Sequence, residues 1–170
     1  QTACKDAVRW PNNICVAVNV SSLQLRSHRI LTVVTQALAE SNLPASRLEL
    51  ELTESALVEN VEHTTKILAD LKTLGVRLAL DDFGTGYSSL AHLHQFNFDK
   101  IKIDRSFVQS FGERRESTAV VNAVAHLARE LPLAAEIIDQ DRQRGRDRVA
   151  AVFQRERHLR FGQPQAFAQL

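Results

Sequence analysis

Hydrophobic and polar positions along the chain switch repeatedly between a period of two and a period near 3.6. "ICVAVNV" is a short β-branched run bounded by turn residues, the pattern of a buried strand whose end lies at Asn19. "SHRILTVVTQALAESNL" then sets Ile30, Val33, Val34 and Leu38 at helical spacing behind Ser27, a capping residue. "RLELEL" alternates strictly, and "TESALVENVEHTTKILADLKTLG" reads as one long amphipathic helix capped by Thr53 and closed by Gly75. "VRLALDD" predicts a third strand, "SSLAHLHQF" a short helix, "FDKIKID" a fourth strand, "STAVVNAVAHLAREL" a helix, and "PLAAE" a fifth strand. At the start, "ACKDAVRW" places Ala3, Ala7 and Trp10 on one helical face and stops at Pro11, so further chain is expected to precede it.

Strands alternating with helices predict βαβ crossovers and a parallel sheet. The faces of the strands choose between an open sheet and a barrel. Leu48, Leu50 and Leu52 oppose Glu49 and Glu51; Val76, Leu78 and Leu80 oppose Arg77, Ala79 and Asp81; Ile101 and Ile103 oppose Lys100, Lys102 and Asp104. A doubly wound sheet has helices on both faces and wants both apolar, whereas a (β/α) barrel has helices outside only and carries polar groups towards its C-terminal mouth. The expectation is an α/β chain forming an incomplete TIM-like (β/α) barrel of about five to six of the eight βα units. It reads as a single domain over residues 1–170.

Composition narrows the function without naming it. Lysine plus arginine is 21 against 20 for aspartate plus glutamate, so no global field selects DNA, RNA or an anionic membrane. Two cysteines without CxxC spacing and scattered histidines, His92 and His94 among them, argue against zinc. No stretch is long and apolar enough for a membrane span and the first residues lack a signal-peptide pattern, which predicts a cytoplasmic protein.

The strand-end polar groups carry the chemistry. Asn19, Glu51, the pair Asp81 and Asp82, and Lys102 fall at the ends of successive strands, which a parallel barrel brings to one rim. Singly, each has an ordinary reading. Asn19 could form a turn, Glu51 a solvated charge, Lys102 an ion pair with Asp104 or Asp99, and Asp82 a helix cap. Together the three carboxylates and the Asn19 amide oxygen are a hard-oxygen donor set suited to Mg²⁺ or Mn²⁺, and carboxylates so close repel one another without a cation. "GTGYSS" follows with Gly84 and Gly86, a mobile loop whose N–H groups suit an anion, although no P-loop lysine is present.

"VNVSSLQL", "LELELTES", "LALDDFGTGYSSL" and "FDKIKIDRSFV", in this order, resemble the EAL-domain family of bacterial cyclic-di-GMP phosphodiesterases. The resemblance implies a TIM-like barrel and metal-dependent hydrolysis of cyclic-di-GMP to linear pGpG. By the same resemblance Asn19, Glu51, Asp81 and Asp82 are metal ligands, and Lys102, Glu51 and Asp81 are catalytic. Glu54 steadies the "DDFGTG" loop, and Gly84, Thr85 and Gly86 border the substrate. A two-metal site is implied.

The resemblance runs over residues 1–131, lapses over 132–160 and returns over 161–170. Glu136 in "LPLAAEIID" stands near the family's further metal-ligating glutamate, but about two residues early. The arginine-rich text between suggests two compensating frameshifts, to be tested by reading its codons in all three frames. The Glu-Ala-Leu motif that names the family is absent from these residues, and its strand is expected upstream of Gln1. Two functions therefore stand side by side: a phosphodiesterase, or a catalytically inactive EAL-like module that binds cyclic-di-GMP or a protein. An open barrel edge also predicts self-association or further domains in the parent protein.

Overall fold

The computed structural model describes residues 1–11, 13–27, 29–58, 60–84, 95–130, 134–137 and 166–167. Six strands form one parallel sheet among them: β1 (Val16–Val20), β2 (Leu48–Thr53), β3 (Arg77–Phe83), β4 (Lys100–Ile103), β5 (Ala134–Ile137) and β6 (Ala166–Phe167). Their order is β5-β4-β3-β2-β1-β6, so β1 to β5 lie side by side in chain order, as successive right-handed crossovers build a barrel wall. The architecture is α/β, a partial TIM-like barrel. The two-residue β6, beside β1, was not apparent in the sequence.

The helices are α1 (Thr2–Ala7), α2 (Ser22–Leu25), α3 (Arg29–Ser41), α4 (Glu54–Val58), α5 (Val61–Thr73), α6 (Arg105–Gln109) and α7 (Arg115–Glu130), with a 3₁₀ turn at Ala45–Arg47. Ser27 Oγ accepts from Arg29 N at 3.3 Å where α3 begins, and Gly75 takes the left-handed φ of 86° that stops α5. The long helix read from Thr53 to Gly75 is two helices. Asn60 ends the first and caps the second, its side chain accepting from His63 N at 3.1 Å, because an asparagine carboxamide satisfies an N-terminal amide that a continuous helix would have used. Thr53 belongs to β2 instead. The helix read over 88–96 lies outside the described residues as far as 94.

Alternation along the strands decides the layers. Leu48, Leu50, Leu52, Leu78, Leu80, Ile101 and Ile103 are all buried in one core with Ile67, Leu68 and Leu71 of α5 and Val121 and Val124 of α7. Each such side chain contributes about 1.5–3 kcal/mol relative to exposure. Arg47 fastens the near end of this layer, donating from Nη2 to Ala7 O at 2.6 Å and from Nε to Ile14 O at 3.0 Å.

Candidate functional site

The other face of the sheet is polar and, in its middle, just as dry. Ladder register fixes its membership, since directly paired residues of parallel strands point to the same side. Asn19 pairs with Glu51, Glu51 with Ala79, Ala79 with Lys100, and Thr53 with Asp81. Lys102 pairs with Glu136 of β5 at the backbone. One face therefore carries Asn19, Glu51, Asp81 and Lys102, with position 136 in register beside Lys102.

Its charges are paired in two levels. Lys100 Nζ lies 2.9 Å from Glu49 Oε1, and Lys102 Nζ donates to Glu51 Oε1 one level nearer the strand ends. Both pairs link β4 to β2 across β3, a span of about 9–10 Å for two strand spacings, which extended lysine and glutamate side chains together just cover. Ala79 is the β3 residue in register with both Glu51 and Lys100, and its small methyl takes little of the space between β2 and β4. Glu49 and Lys102 are each 0% exposed and Glu51 3%, so separating either pair would strand a charge in a dry interior. Asp99, one of the two partners considered for Lys102, instead binds Lys72 and accepts from Leu78 N at 2.8 Å, holding α5 to the start of β3.

The adjacent aspartates sit on a β-bulge. Leu80 pairs with Ile101 and Phe83 with Ile103, so three steps along β3 match two along β4. Asp82 absorbs the extra residue with a left-handed φ of 55°, and its N–H donates to Asp81 Oδ1 at 3.0 Å. A regular strand would turn the two carboxylates to opposite faces. The bulge breaks that alternation at Asp82, whose carboxyl is pushed above the usual range by burial, then by Asp81 and then by Asp104, while Lys102 opposes them. Glu51 is likewise raised, chiefly by burial, against the lowering effect of Lys102 and with smaller contributions from Asp81 and Glu49.

Just past the bulge Glu54, first residue of α4, accepts from Gly84 N at 3.2 Å. Gly84 has φ 100°, and a Cβ there would stand 2.8 Å from Phe107 Cε2 and 3.0 Å from Val120 Cγ1. Glycine is thus required both by conformation and by the α6 and α7 side chains behind it. Thr85 and Gly86 lie outside the described residues.

Asp104, read from the sequence only as a partner for Lys102, acts on Asp82 and caps α6 by accepting from Ser106 N at 2.8 Å. Its place on the lysine face of "KIKID" was the available signal. Asn19 is exposed. With Glu51 and Thr53 it borders a cavity of about 620 Å³ that also runs along the helix-facing side, where Ile30, Val34, Leu48 and Leu50 line it.

The oxygen donors fit a hard divalent cation in chemistry and in facing one side of the sheet. No group of three or more His, Cys, Asp or Glu side chains among the described residues is already gathered around a cation position. The ammonium of Lys102 stands on Glu51 instead. No helix among the described residues is long and apolar enough to cross a membrane.

Comparison with known proteins gives a consistent picture. The sequence profile of the EAL domain matches residues 1–145. The chain is 41% identical over 132 residues to cyclic di-GMP phosphodiesterase PdeR of Escherichia coli strain K12, covering 76% of this chain and 20% of that protein. Its structure is similar to the c-di-GMP complex of the PaMucR phosphodiesterase, with a TM-score of 0.83 and 32% identity over 89% of this chain and 67% of that one. It is also similar to a manganese and cyclic-di-GMP complex of Klebsiella pneumoniae BlrP1, with a TM-score of 0.72 and 28% identity over 79% of this chain and 35% of that one. The chain spans 17% to 34% of the length of the curated relatives it matches.

Proposed function

Because the chain belongs to the EAL domain family, we propose that it is the cyclic-di-GMP phosphodiesterase domain of a longer cytoplasmic signalling protein, hydrolysing one phosphodiester bond to give linear pGpG with Mg²⁺ or Mn²⁺. The observation that carries this reading is the shared face of Asn19, Glu51 and Asp81 with the bulge that brings Asp82 to them. Relatives named for this activity, and a neighbour holding manganese with the dinucleotide, support it.

In this reading Asn19, Glu51, Asp81 and Asp82 hold the cation, with Glu136 contributing from the register position opposite Lys102. When bound, the cation supplies positive charge against the phosphodiester and acidifies water. The protein's own residues do the rest. Lys102 offers an ammonium to the phosphate oxygens from a site with little competing water, where such a contact is strong. Glu54 keeps Gly84 in place, so that the segment through Thr85 and Gly86 starts from a fixed point beside the substrate. In sequence, residues 1–131 and 161–170 are read as the family-like parts of one domain and 132–160 as its divergent part, although the family profile reaches residue 145.

A second reading is favoured by one observation: the ammonium of Lys102 already neutralises Glu51, and in this reading the same face serves as a cyclic-di-GMP-binding regulatory module without hydrolysis. Incubation with cyclic-di-GMP and Mn²⁺, followed by nucleotide chromatography, separates the two. Linear product that disappears in Asp81→Asn supports the enzyme; saturable binding without product supports the module; neither contradicts both.

A further inference from the structure

Resting on the cation-binding reading above, we propose that Lys102 is the resident counter-ion of the inner face: a divalent cation loads by exchanging with its ammonium on Glu51, and the ammonium so released turns to the anionic substrate.

Burial is the ground for the exchange. Glu51 is 3% exposed and Lys102 is 0% exposed, and a carboxylate that dry costs several kcal/mol unless a cation accompanies it. In the described structure that cation is Lys102. The pair stands at the level where negative charge accumulates, since Asp81 acts on Glu51, and Asp81 and Asp104 act on Asp82. Three or more acidic side chains are not yet gathered on one point among the described residues. Lys102 occupies Oε1 of Glu51, so a cation that draws on that oxygen takes it from the ammonium.

The pair one level deeper shows what is particular to this one. Lys100 likewise holds Glu49 across β3, but two residues further from the bulged aspartates along each strand. Lys100 has no part in the exchange and acts as an internal standard. Coupling follows directly: the cation binds first, and Lys102, freed from Glu51, then adds to the attraction for a phosphodiester, so each ligand strengthens the other.

The test uses the ammonium resonances of the intact chain, assigned to Lys102 and Lys100 by comparing Lys102→Met and Lys100→Met. Titration with diamagnetic Mg²⁺ should shift or broaden the Lys102 signal in step with the binding heat and leave Lys100 in place. Lys102→Met, which presents no ammonium to displace, should bind Mg²⁺ about tenfold more tightly than the native chain, the worth of one charge-assisted hydrogen bond. Heat of Mg²⁺ binding with the Lys102 signal unmoved would overturn the exchange while leaving the cation site standing. Unchanged or weaker binding in a folded Lys102→Met would overturn it as well. Absence of Mg²⁺ binding in every variant would overturn both the exchange and the cation-dependent function. If Lys102→Met does not fold, the native titration decides alone, with the lysine signals assigned from Lys102→Arg.

Discussion

Glu54 accepts a hydrogen bond from the backbone N–H of Gly84, joining the first residue of α4 to the residue that leaves β3. The contact spans thirty residues of sequence and sits directly beyond the bulged aspartates. Whatever sets Gly84 also sets Asp81 and Asp82.

Glu54→Ala should therefore lower cyclic-di-GMP turnover or affinity more than it lowers stability. The expected stability loss is about 1–3 kcal/mol, that of one hydrogen bond to a charged group. Urea unfolding and dinucleotide titration on the same sample check this; a variant that loses stability but binds the dinucleotide unchanged would remove the residue from the site.

Gly84→Ala meets two obstacles, a φ of 100° and a Cβ 2.8 Å from Phe107 Cε2. A loss of about 1–3 kcal/mol is expected from the backbone alone. Combining it with Phe107→Ala should relieve the closest contact and leave the conformational cost and the 3.0 Å approach to Val120 Cγ1, so the two losses, read by urea unfolding, should not add.

Ala79→Leu tests the crossing of β3. A larger side chain there blocks both lysines, and breaking a buried pair costs about 3–5 kcal/mol. The variant should unfold at much lower urea than Ala79→Gly, which keeps the passage open. Equal stability for the two would show that the lysines do not pass over position 79.

The raised carboxyls of Glu51 and Asp82 give a pH dependence of definite sign. In cation-free buffer the native state keeps protons that the unfolded chain has already released. Their contribution to stability is therefore lost as pH rises from the ordinary carboxylate range through the raised values. Asp82→Asn removes the Asp82 part, and asparagine tolerates the left-handed φ at that position. Its Tm should exceed that of the native chain near neutral pH, with the difference shrinking towards about pH 4. A difference that grows towards acid would reverse the assignment.

Most of the site was legible because a period of two sorts strand residues onto faces without any knowledge of the fold. That rule placed Glu51, Asp81 and Lys102 together, and Leu50, Leu80 and Ile101 behind them. It failed at Asp82, where strict alternation points the carboxylate away and a bulge, seen only in the pairing of β3 with β4, brings it back. It could not supply the partner of Lys102, which stands two strands away and depends on the small side chain between. The break between α4 and α5 was missed although Asn60 carried the signal, because the apolar positions on either side keep one helical face through it.

Calorimetric titration of cyclic-di-GMP into the protein, with Mn²⁺ and with chelator, tests the central claim most directly. Expected is saturable binding that requires Mn²⁺ and is lost in Asp81→Asn. Absence of binding, or binding indifferent both to Mn²⁺ and to Asp81, would contradict the assignment of this face as the nucleotide site.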